Sequence, residues 1–298
     1  MATKTIAGRA CPISAKGQKY FKLRAQRGVT LIELMVGVAI GLLTVAVAMG
    51  ALLVSRGVSG TVSDASLLQQ QAAYAYRVIG QQVRQAGSLY LNRNPVSAAA
   101  SDAFMAPVAF ETAAPASGSG NGFDPATDTI SAASGALTVG YRRYLDAVYP
   151  AASTQTLVRN CVAGSGDSHA DQRLESVFQL NGDQLRCTGN GEIPQPIIQN
   201  VANFQVRYLV QDVSTTPGSP QIRYLSAADV GTQWQRVQGV EVCLVLYGTE
   251  PIDMPASASY TDCDETTSVN MASLTGARAR RIHMVFRNVY QLRSQGLV

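Results

Sequence analysis

The sequence predicts an α+β protein in which one long N-terminal helix, its first half apolar enough to span a membrane, packs by its second half on a C-terminal antiparallel β-sheet head. Three observations predict it. Residues 34–54 carry no charge, and apolar residues then recur at helical spacing as far as residue 86. From residue 136 onward the pattern changes to two-residue alternation broken by turn residues. The alternating runs follow one another without helix-length crossovers, which is the pattern of strands paired antiparallel. The 298 residues suffice for one large domain or two small ones. With 46% apolar and 15% charged residues, against about 25% charged in an average globular domain, the chain as a whole is not of a disordered type.

The first element is a basic leader. Residues 1–28 hold Lys4, Arg9, Lys16, Lys19, Lys22, Arg24 and Arg27 and no acid. Without them the chain has 17 basic and 20 acidic residues, a net charge of −3, so the overall charge of +4 belongs to the leader. A nucleic-acid partner is not expected. At 1.5 Å per residue, residues 34–54 make a helix of about 30 Å, the thickness of a bilayer core. The positive leader predicts a cytoplasmic N-terminus and an outward-facing remainder. An ordinary secretory signal has its cleavage residues after the apolar stretch. Here the distinctive residues precede it, as Arg27-Gly28-Val29-Thr30-Leu31-Ile32-Glu33-Leu34. Glu33 stands at the edge of the apolar run, where a carboxylate is costly unless paired or at the interface.

The helix continues past the apolar run, weakened at Gly57 and Gly60 by about 1 kcal/mol each relative to alanine. Leu68, Ala72, Ala75, Ile79, Val83 and Ala86 then form a stripe at three- and four-residue spacing, and Gly87 follows as a C-cap. A helix over 29–86 is about 85 Å long. Gly37 and Gly41 form a G-x-x-x-G spacing suited to close helix contacts in a membrane. Residues 92–136 are rich in Ala, Ser, Gly and Pro and predict an exposed loop.

Strands are predicted at 137–141, 176–180, 184–187, 204–210, 237–247 and 282–290. Asn181-Gly182-Asp183 marks a hairpin between the second and third. Residues 237–247 are the most apolar of these runs and predict a central strand. Of the five cysteines, Cys11 lies in the leader, leaving Cys161, Cys187, Cys243 and Cys263, an even set suited to an oxidising compartment. Three pairings are possible. The short-range one, Cys161 with Cys187 and Cys243 with Cys263, is favoured because each pair encloses a short segment with turn residues, and each such loop stabilises by about 3 kcal/mol. No CxxC or Cys/His cluster calls for a metal, and no cofactor is expected.

The segment from Gly28 to Glu33 resembles the cleavage and methylation signal of type IV prepilins and pseudopilins. Gly28, Thr30, Leu31, Ile32 and Glu33 match it, and Val29 stands where the family usually has phenylalanine. The resemblance implies that a prepilin peptidase cuts after Gly28 on the cytoplasmic side and methylates the new Val29 amine. It also implies a pilin-like fold and an intermolecular pairing of Glu33 with the amine of a neighbouring subunit during polymerisation. The helix over 67–87, the run 198–208, Trp234-Gln235-Arg236-Val237 and the terminal Arg280-Arg281 and Arg287-Asn288 resemble the PilW-like minor pilins. On that footing the chain divides into a cleaved leader (1–28), a membrane-spanning and polymerising half-helix (29–56), an amphipathic half-helix (57–87), an exposed loop (88–136) and a β-rich head (137–298). The implied protein is a non-enzymatic minor pilin held in the bacterial inner membrane with its head in the periplasm, then carried to the cell surface in the fibre. It primes assembly and supports adhesion and twitching. Its implied partners are the prepilin peptidase, other minor pilins and the major pilin, the inner-membrane assembly platform and a tip adhesin.

Other readings are less well supported by the residues. His169 and His283 have no G-x-S-x-G elbow to serve, and His283 reads as a sheet residue in polar surroundings. Asp262, Asp264 and Glu265 lack a calcium-loop spacing and read as a solvated acidic turn. Arg278, Arg280 and Arg281 read as a solvated or ion-paired strand start. The alternatives are a J-type minor pseudopilin of type II secretion, which shares the signal and the run 198–208, and a single-pass anchored periplasmic binding protein or hydrolase.

Overall fold

The computed structural model describes residues 28–89, 123, 125–149, 154–167, 173–212 and 221–292. Residues 1–27 of the leader, Cys11 among them, His169 and most of the 88–136 stretch lie outside the described residues. The chain divides after Val54 into two compact units. Helix α1, Leu31–Gln85, contributes to both. In the first unit every described residue is exposed, and α1 is there long and apolar enough to cross a membrane.

The second unit holds thirteen described strands: β1 Ile130–Ala133, β2 Ala136–Arg142, β3 Asp146–Ala147, β4 Thr154–Gln155, β5 Arg173–Asn181, β6 Gln184–Gly189, β7 Gln195–Ile198, β8 Val201–Asp212, β9 Gln221–Leu225, β10 Val237–Tyr247, β11 Ser259–Thr261, β12 Ser268–Asn270 and β13 His283–Gln291. All pairings are antiparallel. The predicted single sheet is instead two: a five-stranded sheet in the order β1-β2-β5-β6-β7 and a four-stranded sheet in the order β13-β10-β8-β9, with β3-β4 and β11-β12 as ribbons. The α+β class with a long helix on antiparallel strands stands. Strand β10 is central, as its apolar composition requires, because both of its faces are covered.

One buried cluster joins α1 to both sheets. Its helical side is the stripe of Leu68, Ala72, Ala75, Ile79, Val83 and Ala86, none more than 2% exposed. Against it lie Leu137, Val139, Phe178 and Leu185 of the first sheet and Val240, Val242, Leu244 and Leu246 of the second. Burying such side chains stabilises by about 1.5–3 kcal/mol each. Small residues on the helix let the sheets come close. At Gly80 a Cβ would sit 2.5 Å from Cε1 of Tyr290. The helix ends with Gly87 at φ 67°, its N–H donating to the Gly140 carbonyl of β2 at 2.9 Å. That left-handed residue closes the helix and fastens it to the first sheet.

The loop expected over 88–136 ends early. Strand β1 pairs with β2 through a two-residue turn in which Ser134 and Gly135 both have positive φ, 51° and 76°. Phe123 and Ile130 are buried. Residues 248–282 form an insertion between β10 and β13 that lies over the outer face of the second sheet, where Cys263 packs against Cys243 and Val245.

Candidate functional site: the start of the long helix

The motif from Gly28 to Glu33 is the start of α1. Gly28, Val29 and Thr30 precede the helix and are exposed. Thr30 is its N-cap, and Thr30-Leu31-Ile32-Glu33 forms a capping box. The Glu33 carboxylate accepts from the Thr30 N–H at 3.1 Å and from the Thr30 hydroxyl at 3.0 Å, both through Oε2. In return the Glu33 N–H donates to Thr30 Oγ1 at 3.4 Å, and the Leu34 N–H to the Thr30 carbonyl at 3.2 Å. Two backbone donors that a helix start leaves open are thereby satisfied within one chain. The negative charge also sits in the first turn, where the helix dipole favours it. Sequence reasoning assigned Glu33 only a cationic partner. The T-x-x-E spacing before an apolar run carries the local role as well.

After this cap no charged residue follows until Arg56, and none of the helix's most apolar window is buried by the chain itself. Apart from the adjoining residues and the helix's own backbone, no described atom lies within 4 Å of where a Cβ would stand at Gly28, Gly37 or Gly41. The chain's own packing therefore does not demand glycine at these positions.

The other residues singled out in the sequence lie apart from this motif. Cys161 is bonded to Cys187, tying the segment after β4 to β6, with Cα atoms 6.3 Å apart. Cys243 is bonded to Cys263, tying the insertion to β10, with Cα atoms 5.7 Å apart. The three acids of the insertion have separate partners. Asp262 accepts from Asn203 Nδ2 at 2.9 Å, Asp264 from the Thr266 and Thr267 amides at 3.0 and 2.8 Å, and Glu265 from Arg207 at 3.0 Å. The Thr267 hydroxyl and these amides hold the Asp264 carboxyl well below the usual range, and the Arg207 guanidinium lowers the pKa of Glu265. No group of three His, Cys, Asp or Glu poised for a metal occurs among the described residues. Arg280 pairs with Asp253 at 3.2 Å.

His283 differs from expectation. It is 6% exposed and stacks on Tyr260 at 5.2 Å with Tyr247 at 5.9 Å, an aromatic setting and not a polar one. Burial lowers its pKa, with the Arg278 charge acting the same way.

Three polar anchors of the second unit escaped the sequence reading. Asp64, on α1, is buried and accepts from the Thr249 hydroxyl and the Glu250 N–H, both at 2.8 Å. Gln82, also on α1, accepts from Ser176 Oγ at 3.1 Å and donates to the Arg159 carbonyl at 3.4 Å. Arg207, on β8, bonds Glu241 of β10 at 2.7 Å while holding Glu265 of the insertion. Only a patterned neighbour would have exposed them beforehand, and their partners are remote in sequence.

The profile of the prokaryotic N-terminal methylation motif matches residues 23–49, and that of the type IV pilus-assembly protein W family matches residues 152–294. The chain belongs to the type IV pilus-assembly protein W family. The two matched stretches flank the amphipathic half of α1 and the 88–136 stretch. Among solved structures the chain is similar to a type IV-like pilin from Thermus thermophilus at 11% identity, covering 75% of this chain and 94% of that one with a TM-score of 0.33. No curated protein sequence matches the chain. Members of the pilin family are typically structural proteins, and the methylation motif implies processing by a prepilin peptidase.

Proposed function

We propose that this chain is a structural minor pilin, not an enzyme, that helps initiate type IV pilus assembly and enters the fibre at its tip. In this reading the peptidase cuts between Gly28 and Val29 on the cytoplasmic side and methylates Val29. The half-helix over 29–56 then holds the protein in the inner membrane with its head in the periplasm. When the subunit joins other minor pilins and the major pilin at the assembly platform, the Glu33 carboxylate pairs with the Val29 amine of a neighbour. A preformed complex of such subunits removes the cost of first bringing helices together in the bilayer, and at the tip, with an adhesin, it serves adhesion and twitching.

The observation that carries the reading is the joining of the Gly28–Glu33 segment to a helical stretch, residues 34–54, that is charge-free and wholly exposed. Gly37 and Gly41, which the packing of the described residues does not require, fit contacts made outside the chain. The test is a Glu33→Ala substitution in the native host, with mass spectrometry of the protein's N-terminus beside it. A methylated Val29 terminus with loss of surface fibres and of twitching supports the proposal. Intact fibres and impaired protein secretion would assign the chain to type II secretion instead, and an uncut Met1 would make it an anchored periplasmic protein.

A further inference from the structure

Beyond residue 28 the chain has 17 basic residues, every one an arginine, against 20 acids. Four of these arginines gather at the end of the second unit where α1 enters it. Arg56 stands one helical turn before Gly60, and a Cβ at Gly60 would lie 3.9 Å from Glu250 Cγ. The loop that carries Glu250 runs beside residues 280–282. The Gly248 N–H donates to the Ile282 carbonyl at 2.9 Å, and the Ile252 N–H to the Arg280 carbonyl at 2.8 Å. Arg278, Arg280 and Arg281 therefore belong to the same rim. Arg278 and Arg280 are exposed and Arg281 is half-buried. Burial and Asp183 raise the pKa of Tyr247, the last residue of β10, while Arg278 and Arg281 lower it, so both guanidinium groups lie near that hydroxyl.

The rim also holds three acids, and they are not equally free. Asp253 is taken up by Arg280 at 3.2 Å, and Asp183 accepts from the Tyr247 hydroxyl at 3.2 Å. Among the described residues Glu250 is in no ion pair, and neither are Arg56, Arg278 and Arg281. Three unpaired cations thus stand against one unpaired acid, in a chain whose net charge without the leader is −3. A guanidinium is a planar fork that gives two parallel hydrogen bonds to a phosphate, and it sheds water more easily than an ammonium.

The place of the rim in the chain selects the phosphate. The charge-free run ends at Val54, six residues before Gly60. Six residues rise about 9 Å as a helix and reach about 20 Å at most when extended. The headgroup layer on one side of a bilayer is about 5–8 Å thick, and its charge is felt for about 8 Å beyond. We propose that Arg56, Arg278 and Arg281 form a lipid-binding surface that seats the second unit on anionic phospholipid headgroups of the leaflet where α1 leaves the bilayer. The inference rests on the membrane-anchored part of the proposed function and adds a second, electrostatic attachment to it.

The test uses the purified mature chain, one copy per nanodisc, in phosphatidylglycerol and in phosphatidylcholine. Phenylglyoxal, which modifies arginine, is followed by peptide mass spectrometry. Arg278 and Arg281 label about 3- to 10-fold more slowly in phosphatidylglycerol, and about 0.5 M salt removes the difference. Arg223, whose side chain is 62% exposed on β9, labels alike in both lipids. Amide exchange over 276–282 is also slower in phosphatidylglycerol, and Arg278→Gln with Arg281→Gln abolishes that lipid dependence. Arg278→Gln alone, at an exposed position, weakens it and covers the case in which the double variant fails to fold. Incorporation with equal labelling in the two lipids would overturn the inference alone. A chain that entered neither nanodisc would overturn the membrane anchor and the inference with it. Protection by inorganic phosphate in phosphatidylcholine would make the rim a free-anion site, and protection seen only with two copies per disc would assign it to a second chain; either result overturns the lipid assignment.

Discussion

Two glycines on the same helix illustrate how differently single residues act in this protein. At Gly80 a Cβ would press on the ring of Tyr290, 2.5 Å from Cε1. That ring cannot easily yield, because its hydroxyl donates to the Tyr76 carbonyl at 2.7 Å and accepts from Asn288 at 3.1 Å. Burial of the same hydroxyl pushes its pKa up to about 12, so it remains a donor at any physiological pH. Gly80→Ala should therefore destabilise by about 1–3 kcal/mol. At Gly60 the nearest atom to a new Cβ is Glu250 Cγ at 3.9 Å. There the helix propensity of alanine prevails, and Gly60→Ala should stabilise by about 0.5–1 kcal/mol. Denaturation midpoints of the two variants should move in opposite directions, and a common direction would refute the contact argument.

His283 makes a second prediction at this scale. Its folded pKa lies below the ordinary value because it is buried against Tyr260 and Tyr247, with Arg278 adding repulsion and the hydrogen bond to the Arg281 carbonyl opposing. The unfolded chain thus takes up the proton more readily, so the stability from a neutral His283 is complete above about pH 6.5 and is lost as the pH falls below it. From about pH 7.5 to 5 the unsubstituted protein should lose more stability than His283→Phe, which keeps the stacking. Equal losses in urea titrations would show that the imidazole does not contribute.

At the scale of elements, the helical stripe carries the largest single terms. Ile79 is fully buried between the sheets, and Ile79→Ala should cost about 2–5 kcal/mol. Tyr74, on the same helix and 55% exposed, should tolerate alanine within about 0.5 kcal/mol. A thermal melt of each separates the two outcomes. The stripe was legible because six apolar residues kept one period over five turns. The β5–β6 hairpin was legible through Asn181-Gly182-Asp183, and β10 through its unbroken apolar run. Strand β1 was not, since Ile-Ser-Ala-Ala has no alternation and owes its conformation to pairing with β2. Strand β7 contains Pro196, which suits only its place at an edge. In the helix start, Gly28 and Glu33 were legible from the motif, whereas the cap was overlooked because a membrane-edge acid invites a cationic partner. Asp64 could not be read at all, because its partners lie 185 and 186 residues further along the chain.

For the second unit as a whole, the question is whether two sheets make one cooperative structure. The buried cluster contains residues of α1 and of both sheets without a break. A unit of this size commonly unfolds in steps when its parts have separate cores. Here the α1 stripe completes the core of each sheet, so neither can lose its packing without uncovering the other. The single tryptophan, Trp234, reports on the second sheet: it packs edge-on against buried Tyr208 of β8, ring centres 5.0 Å apart. Leu185 lies on β6 of the first sheet and is fully buried. Leu185→Ala should therefore shift the denaturation midpoint seen by tryptophan fluorescence as far as the midpoint seen by circular dichroism, by the equivalent of about 2–5 kcal/mol. A fluorescence transition that stays in place while the dichroic one moves would mean that the second sheet unfolds on its own, and that α1 bridges two cores instead of closing one.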